Sequence, residues 1–264
     1  MPRRCAARRA GLIARLEHPG GAAYVTIVRQ RYRPPMQAAI IIFPGSNREH
    51  DVCIAWKLAT GREPLRIWHA ESTLPDVDVI ILPGGFAHGD YLRCGAMAAR
   101  APIMREVKAR AERGAPVLGI CNGFQILTEA GMLPGALLPN RSLAFTCRDI
   151  HLRVENSQTI FTCGYAAGQT IRVPVAHHDG GYTADPATLD RLEDRGLVAF
   201  RYCGPSGTPS DADNFNGSAR AIAGIFNESR TILGLMPHPE NATDPLLGGT
   251  DGRAFFDGLV SALQ

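Results

Sequence analysis

Three short stretches of this sequence hold residue types that can do covalent chemistry. The first is Gly119-Ile120-Cys121-Asn122-Gly123-Phe124-Gln125, which follows the apolar run Val117-Leu118. A cysteine with glycine two places to either side suits a sharp turn from strand into helix, where a nucleophile is presented without side-chain collision. The turn would also set the sulfur at a helix N-terminus, where the dipole and unpaired N–H groups favour thiolate over thiol. The competing reading is a small buried residue that closes a strand, a common place for Cys. The paired glycines tilt the balance toward the nucleophile.

The second stretch is Met236-Pro237-His238-Pro239-Glu240. A thiolate needs a base held in orientation, and a His with a nearby carboxylate supplies both. Two prolines stiffen the segment, and in extended chain residues two apart point the same way, which would put Glu240 beside His238. Alternatively His238 only caps or packs a loop. His88, His177 and His178 compete for the base role. The third stretch, Pro83-Gly84-Gly85, can offer backbone N–H groups to a developing oxyanion, because glycine permits the peptide geometry and close approach. Pro-Gly-Gly is also an ordinary turn. Its continuation, Phe86 to Arg93, is unusually polar for a crossover and is a candidate for binding substrate or a partner.

Other chemistries find little support. Cys5, Cys53, Cys94, Cys147, Cys163 and Cys203 lack a comparable setting and read as packing or incidental thiols. His177-His178-Asp179 is the nearest approach to a metal cluster, but adjacent residues diverge and no spaced Cys/His set completes a zinc site. Gly45-Ser46-Asn47 lacks the Lys and the length of a phosphate loop.

These loops need a scaffold that gathers strand ends. The 264 residues are 45% apolar, ample for one domain with an elaboration. From Met36 onward, apolar strands alternate with helices: strands over 38–43, 65–69, 77–82 and 117–120, helices ending near Gly61, over 98–113, and from Cys121 to Ala130. Buried runs without alternation, separated by helices, predict a mainly parallel sheet in an α/β fold. The middle is poorer in helix, with strands expected over 142–155, 158–161, 171–176, 198–202, 219–226 and 231–236 and a helix over 187–195. It reads as an antiparallel elaboration of the same domain, closed by an amphipathic helix over 251–263. In open α/β sheets reactive groups gather beyond the carboxyl ends of strands, which is where all three stretches fall.

Charge is uneven. Residues 1–35 hold eight Arg and one acid, net +7, whereas residues 36–264 carry 20 basic and 24 acidic residues, net −4. The Arg-rich leader is read as sequence upstream of a start at Met36, with an extension or a targeting or binding segment as alternatives. Seven Cys without a close CxxC pair, and no apolar signal segment, predict a reducing cytoplasm. No stretch approaches the roughly 20 apolar residues that cross a bilayer.

In order along the chain, FPGSN (43–47), PGGFAHGDYLR (83–93), GICNGFQ (119–125), LRVEN (152–156), VPVAH (173–177), NFNGS (214–218) and GLMPHPEN (234–241) resemble the class I glutamine amidotransferases. More closely they resemble the glutaminase subunits of bacterial phosphoribosylformylglycinamidine synthases. The similarity runs from Met36 to the C-terminus and implies a flavodoxin-like three-layer α/β fold over 36–264. It implies Cys121 as nucleophile, His238 as general base and acid, Glu240 as its orienter, and the amides of Gly85 and Asn122 as oxyanion hole. Gly84, Gly85, Asn122 and Gln125 become glutamine-binding positions. The reaction implied is hydrolysis of L-glutamine through a Cys thioester, with ammonia passed to a large synthetase subunit. No cofactor or metal is expected on this chain; ATP and Mg belong to the large partner, and a small third subunit joins. Neither nucleic acid nor membrane is an expected partner.

Three places depart from the family's usual residues: Ala87-His88 for Ser-Tyr, Asp179 for Glu and Phe215 for Pro. None touches the implied triad. Rival readings are an amidotransferase serving another synthetase, a thiol hydrolase or peptidase of similar form, and a non-catalytic regulatory subunit that retains a buried Cys.

Overall fold

The computed structural model describes residues 36–264, so the Arg-rich leader and the readings placed on it lie outside the described residues. In chain order the elements are β1 (Ala38–Ile42), α1 (Glu49–Thr60), β2 (Leu65–Trp68), β3 (Val79–Leu82), α2 (Pro102–Glu112), β4 (Val117–Ile120), α3 (Asn122–Glu129), β5 (Ala136–Leu138) and β6 (Thr146–Val154). They continue with β7 (Thr170–His177), β8 (Gly181–Thr183), α4 (Pro186–Asp194), β9 (Val198–Cys203), β10 (Ile222–Phe226), β11 (Ile232–Leu235) and α5 (Arg253–Leu263).

Nine strands form one sheet in the order β2-β1-β3-β4-β11-β10-β9-β6-β7. The first five pair parallel and have the flavodoxin-like order; the remaining pairings are antiparallel. The expected class I amidotransferase-like architecture is therefore present. Strands β3, β4 and β11 are buried at every residue, as a parallel sheet covered on both faces requires. The β1-to-β2 and β3-to-β4 crossovers run in opposite directions, and right-handed connections then put α1 and α2 on opposite faces. Between β1 and β3 the connections part, and the loops beyond those two strands meet at an isolated bridge, Ser46 to Gly85.

The antiparallel half coils back on the parallel half. Although β7 is the last strand of the sheet, its carboxyl end returns to the ends of β4 and β11: the Pro174 carbonyl accepts from His238 N–H at 2.9 Å, and the Ala176 carbonyl lies 3.7 Å from Cys121 Sγ. The cumulative twist of a long sheet allows this. A two-stranded sheet of β5 and β8 sits outside the main one.

Local signals account for most boundaries. Gly61 ends α1 in the left-handed region, φ 72°, with its N–H on the Lys57 carbonyl. Two expectations need correction. The helix expected over 98–113 is split: a 3₁₀ turn spans Ala98–Arg100, and α2 starts at Pro102 with Ala101 extended at ψ 148°. Proline excludes its predecessor from the helical region and is itself at home in a first turn. Residues 158–161 form a turn and not a strand, because the Thr159 carbonyl takes the N–H groups of Thr162 and Cys163.

Candidate active site

Cys121 stands between β4 and α3 at φ 52° and ψ −107°. A non-glycine residue at positive φ costs on the order of 1–3 kcal/mol and persists where its surroundings enforce it. Here the two glycines do the enforcing. A Cβ on Gly119 would sit 2.7 Å from the Gly123 carbonyl and 2.5 Å from Leu127, and one on Gly123 would sit 2.0 Å from the Leu82 carbonyl oxygen. Strand, elbow and helix thus pack backbone to backbone, and the thiol ends up 5% exposed.

His238 and Glu240 come from the segment after β11. Nδ1–H of His238 donates to Glu240 Oε1 at 2.7 Å, with both residues buried. The pairing matches the expectation but the route differs: the segment is not extended, because Pro239–Asn241 forms a 3₁₀ turn that carries the carboxylate round to the ring. Burial disfavours a charged imidazole, yet the charges of Glu240 and Cys121 outweigh it and hold His238 well above the ordinary histidine pKa. The ring's other nitrogen, Nε2, is buried and has no hydrogen-bond partner among the described residues.

The Gly84-Gly85 loop completes the group. Asn47 and Arg48 N–H bond the Gly84 carbonyl at 3.3 and 3.2 Å, and Phe86 N–H bonds the Gly45 carbonyl at 2.9 Å. The FPGSN stretch is thus the cradle of this loop. A side chain at Gly84 would come within 2.9 Å of His238 Cε1, so clearance for the His238 ring is one reason for glycine there. Neither Gly85 N–H nor Asn122 N–H, the first of α3, has an acceptor among the described residues.

The side chains of Asn122 and Gln125 do something the sequence did not indicate. Asn122 Oδ1 accepts from Ala87 N–H at 3.1 Å, while its Nδ2 reaches Asp90 at 3.3 Å and Gln125 Oε1 at 2.9 Å. Gln125 Nε2 donates to the Asp179 carbonyl at 2.6 Å. Both side chains are buried and tie the 85–90 loop and the turn after β7 to the elbow. The three competing histidines are placed otherwise. His88 and His177 also stand two residues before an aspartate, but neither bonds to it; Asp179 pairs with His178 instead. Burial, aided by the charge of His238, lowers His177 to about 3. Among the described residues no cluster of His, Cys, Asp and Glu could hold a metal ion.

A model of the CobB/CobQ-like glutamine amidotransferase domain matches residues 35–248. The chain belongs to this glutamine amidotransferase family. It is 56% identical over 230 residues to the phosphoribosylformylglycinamidine synthase subunit PurQ of Nitrobacter winogradskyi, covering 87% of this chain and 99% of that one. It is also 56% identical over 230 residues to the same-named subunit of Rhodospirillum rubrum, covering 87% of this chain and all of that one. Among solved structures, a chain of PurLQS from Thermotoga maritima superposes with a TM-score of 0.78 at 42% identity, covering 88% of this chain and 100% of that chain.

The residues that depart from the amidotransferase pattern lie around the site. Ala87 bonds Asn122 through its main chain, so the bond does not depend on its side chain. His88 meets His69 edge-on at 5.1 Å. Asp179 holds Gln125 through its carbonyl, and its carboxylate accepts from Cys94 Sγ at 3.1 Å. Phe215 stacks on His177 at 5.7 Å and meets Tyr202 edge-on at 5.3 Å.

Proposed function

We propose that this chain is the glutaminase subunit of a phosphoribosylformylglycinamidine synthase, acting in the cytoplasm in complex with a large ATP-dependent synthetase subunit and a small third subunit. The observation that carries the catalytic part is the strained Cys121 elbow beside the buried, hydrogen-bonded His238–Glu240 pair. Identity with the PurQ relatives over nearly their whole length supports the choice of acceptor. No helix among the described residues is long and apolar enough to cross a membrane.

In this reading Cys121 Sγ attacks the γ-carbonyl carbon of L-glutamine, and the carbonyl oxygen takes the negative charge. Gly85 and Asn122 N–H receive that charge; one such donor is worth about 3 kcal/mol in the transition state. His238 then gives its proton to the amide nitrogen, the C–N bond breaks, and ammonia leaves a γ-glutamyl thioester. Neutral His238 next takes a proton from water as the water oxygen attacks the thioester carbon. Glutamate leaves, and thiolate and imidazolium return. Glu240 keeps Nδ1 protonated throughout, so that Nε2 is the nitrogen that exchanges the proton. The synthetase uses ATP and the ammonia to convert formylglycinamide ribonucleotide to the amidine.

The test is glutamate release and amidine formation from glutamine, with and without the synthetase subunits. Cys121→Ala is expected to abolish glutamine-dependent synthesis while the assembled complex still uses added ammonia. Glutamine-dependent turnover at the wild-type rate in that variant would overturn the nucleophile assignment.

A further inference from the structure

The loop that follows Gly85 leans on a histidine from another strand. It is tied to the elbow by two bonds, Ala87 N–H to Asn122 Oδ1 at 3.1 Å and Asn122 Nδ2 to Asp90 Oδ1 at 3.3 Å. Between those ties the chain turns through left-handed backbone, with φ 56° at His88, 75° at Gly89 and 54° at Asp90. Non-glycine residues at positive φ cost energy and persist where contacts outside the loop enforce them. Two such contacts are present. His88 N–H bonds the Pro44 carbonyl at 2.7 Å, and the His88 ring meets His69 edge-on, with 5.1 Å between centroids and 85° between planes. His69 is a firm post for it. Standing just past β2, it donates its N–H to the Ile42 carbonyl at the end of β1 at 2.9 Å and accepts Ile103 N–H from the first turn of α2 at 3.3 Å.

The groups around the pair bring it no countercharge. Phe43 after β1 lies 6.1 Å from the His69 ring, Trp68 of β2 meets it edge-on at 4.7 Å, and α2 approaches through the Ile103 amide. Asp90, the carboxyl of the same loop as His88, is engaged by Asn122 and Cys94. His69 Nδ1 is buried with no hydrogen-bond partner among the described residues. Burial and the charge of His88 lower the His69 pKa from the ordinary histidine value. Resting on the glutaminase reading, we propose that His88 is a positioning residue for the oxyanion loop, held by His69, and that the hold opens when both imidazoles carry a proton. Neutral rings pack edge-on, and one proton is tolerated, because a cation is attracted to the face of a neutral aromatic ring. A second proton sets two like charges 5.1 Å apart. His69 is fixed on β1 and α2, so the strained loop gives way. Ala87 then leaves Asn122, and Gly85, two residues earlier, loses its place beside the elbow. The device belongs to this chain, since the amidotransferases it resembles usually carry Tyr where His88 stands, a ring that takes up no proton in this range.

The experiment measures glutamate release from glutamine by the assembled complex from about pH 7.5 down to about pH 5, which spans the ordinary histidine pKa. Wild type, His88→Tyr and His69→Phe are compared, each scaled to its own rate at the upper pH. The ionisations of Cys121 and His238 are common to all three and cancel in the ratio. At the acid end wild type is expected to have lost at least about threefold more activity than either variant, in kcat and not in KM, because the oxyanion amide acts in the transition state. Parallel profiles of wild type and His88→Tyr overturn the proposal whatever their absolute rates, since a merely structural ring would act alike at every pH. So does a His69→Phe profile that keeps the wild-type acid limb, because the contact needs both rings. His69→Gln takes its place if His69→Phe misfolds. A wild-type complex that releases no glutamate even at the upper pH would instead overturn the glutaminase reading.

Discussion

Replacing Gly123 by Ala probes the join between the Cys121 elbow and the Gly84-Gly85 loop. The added Cβ would lie 2.0 Å from the Leu82 carbonyl oxygen, whereas ordinary contact begins at 3.4 Å, so α3 or β3 must yield by about 1.4 Å. The obstructing atom is backbone and cannot rotate away. Leu82 is paired with Gly119 in the sheet and stands two residues before Gly84, so its displacement reaches both the strand under Cys121 and the loop carrying the Gly85 amide. Overpacking of this kind costs about 2 kcal/mol, which lowers the Tm of a domain this size by about 4–8 °C. A misplacement near 1 Å between reacting groups costs about 100-fold in rate. Thermal melting and glutamate release in the complex measure the two effects, with Gly249→Ala, whose Cβ meets nothing within 4 Å, as the comparison. A Gly123→Ala enzyme that melts with the wild type and turns over within threefold of it would refute the backbone-to-backbone seating of the elbow.

Glu240→Gln removes the charge that helps raise His238, and glutamate release is expected to fall at least about tenfold, further if the amide turns the ring to the wrong tautomer. Because the folded His238 pKa is raised, its stabilisation is full below the unfolded value and fades as pH rises through the folded one. The Tm difference from wild type should thus be widest near pH 6 and shrink in alkali, and a gap that widens with pH would contradict the pairing. Asn122→Ala leaves Ala87 N–H buried without its 3.1 Å acceptor and cuts the ties to Asp90 and Gln125. We expect a loss of about 1–3 kcal/mol in denaturant unfolding and a fall in kcat with the slackened 85–90 loop; retention of both would show that the clamp is idle.

Much of the site could be read from the chain because its causes are local. Gly-Ile-Cys-Asn-Gly suits a tight strand-to-helix turn, and Pro-His-Pro-Glu brings its own carboxylate, though by a 3₁₀ turn and not by extended alternation. The parallel half of the sheet was likewise legible from uninterrupted apolar runs. The splitting of 98–113 at Ala101 follows from Pro102, a signal present in the sequence and outweighed by the helical spacing of Ile103 and Val107.

What the tertiary structure decided are the relations between distant segments. No local pattern reveals that β7, at the far edge of a nine-stranded sheet, returns to lay the Ala176 carbonyl against Cys121. Nor does one reveal that the side chains of Asn122 and Gln125 clamp loops together, or that His177 is buried with its Nδ1 on Asn140 Oδ1. Propensity and sterics act over a few residues and are written in neighbouring letters. Burial and the electrostatics that follow from it depend on what the whole chain folds over each group, and that is known only when the sheet has closed.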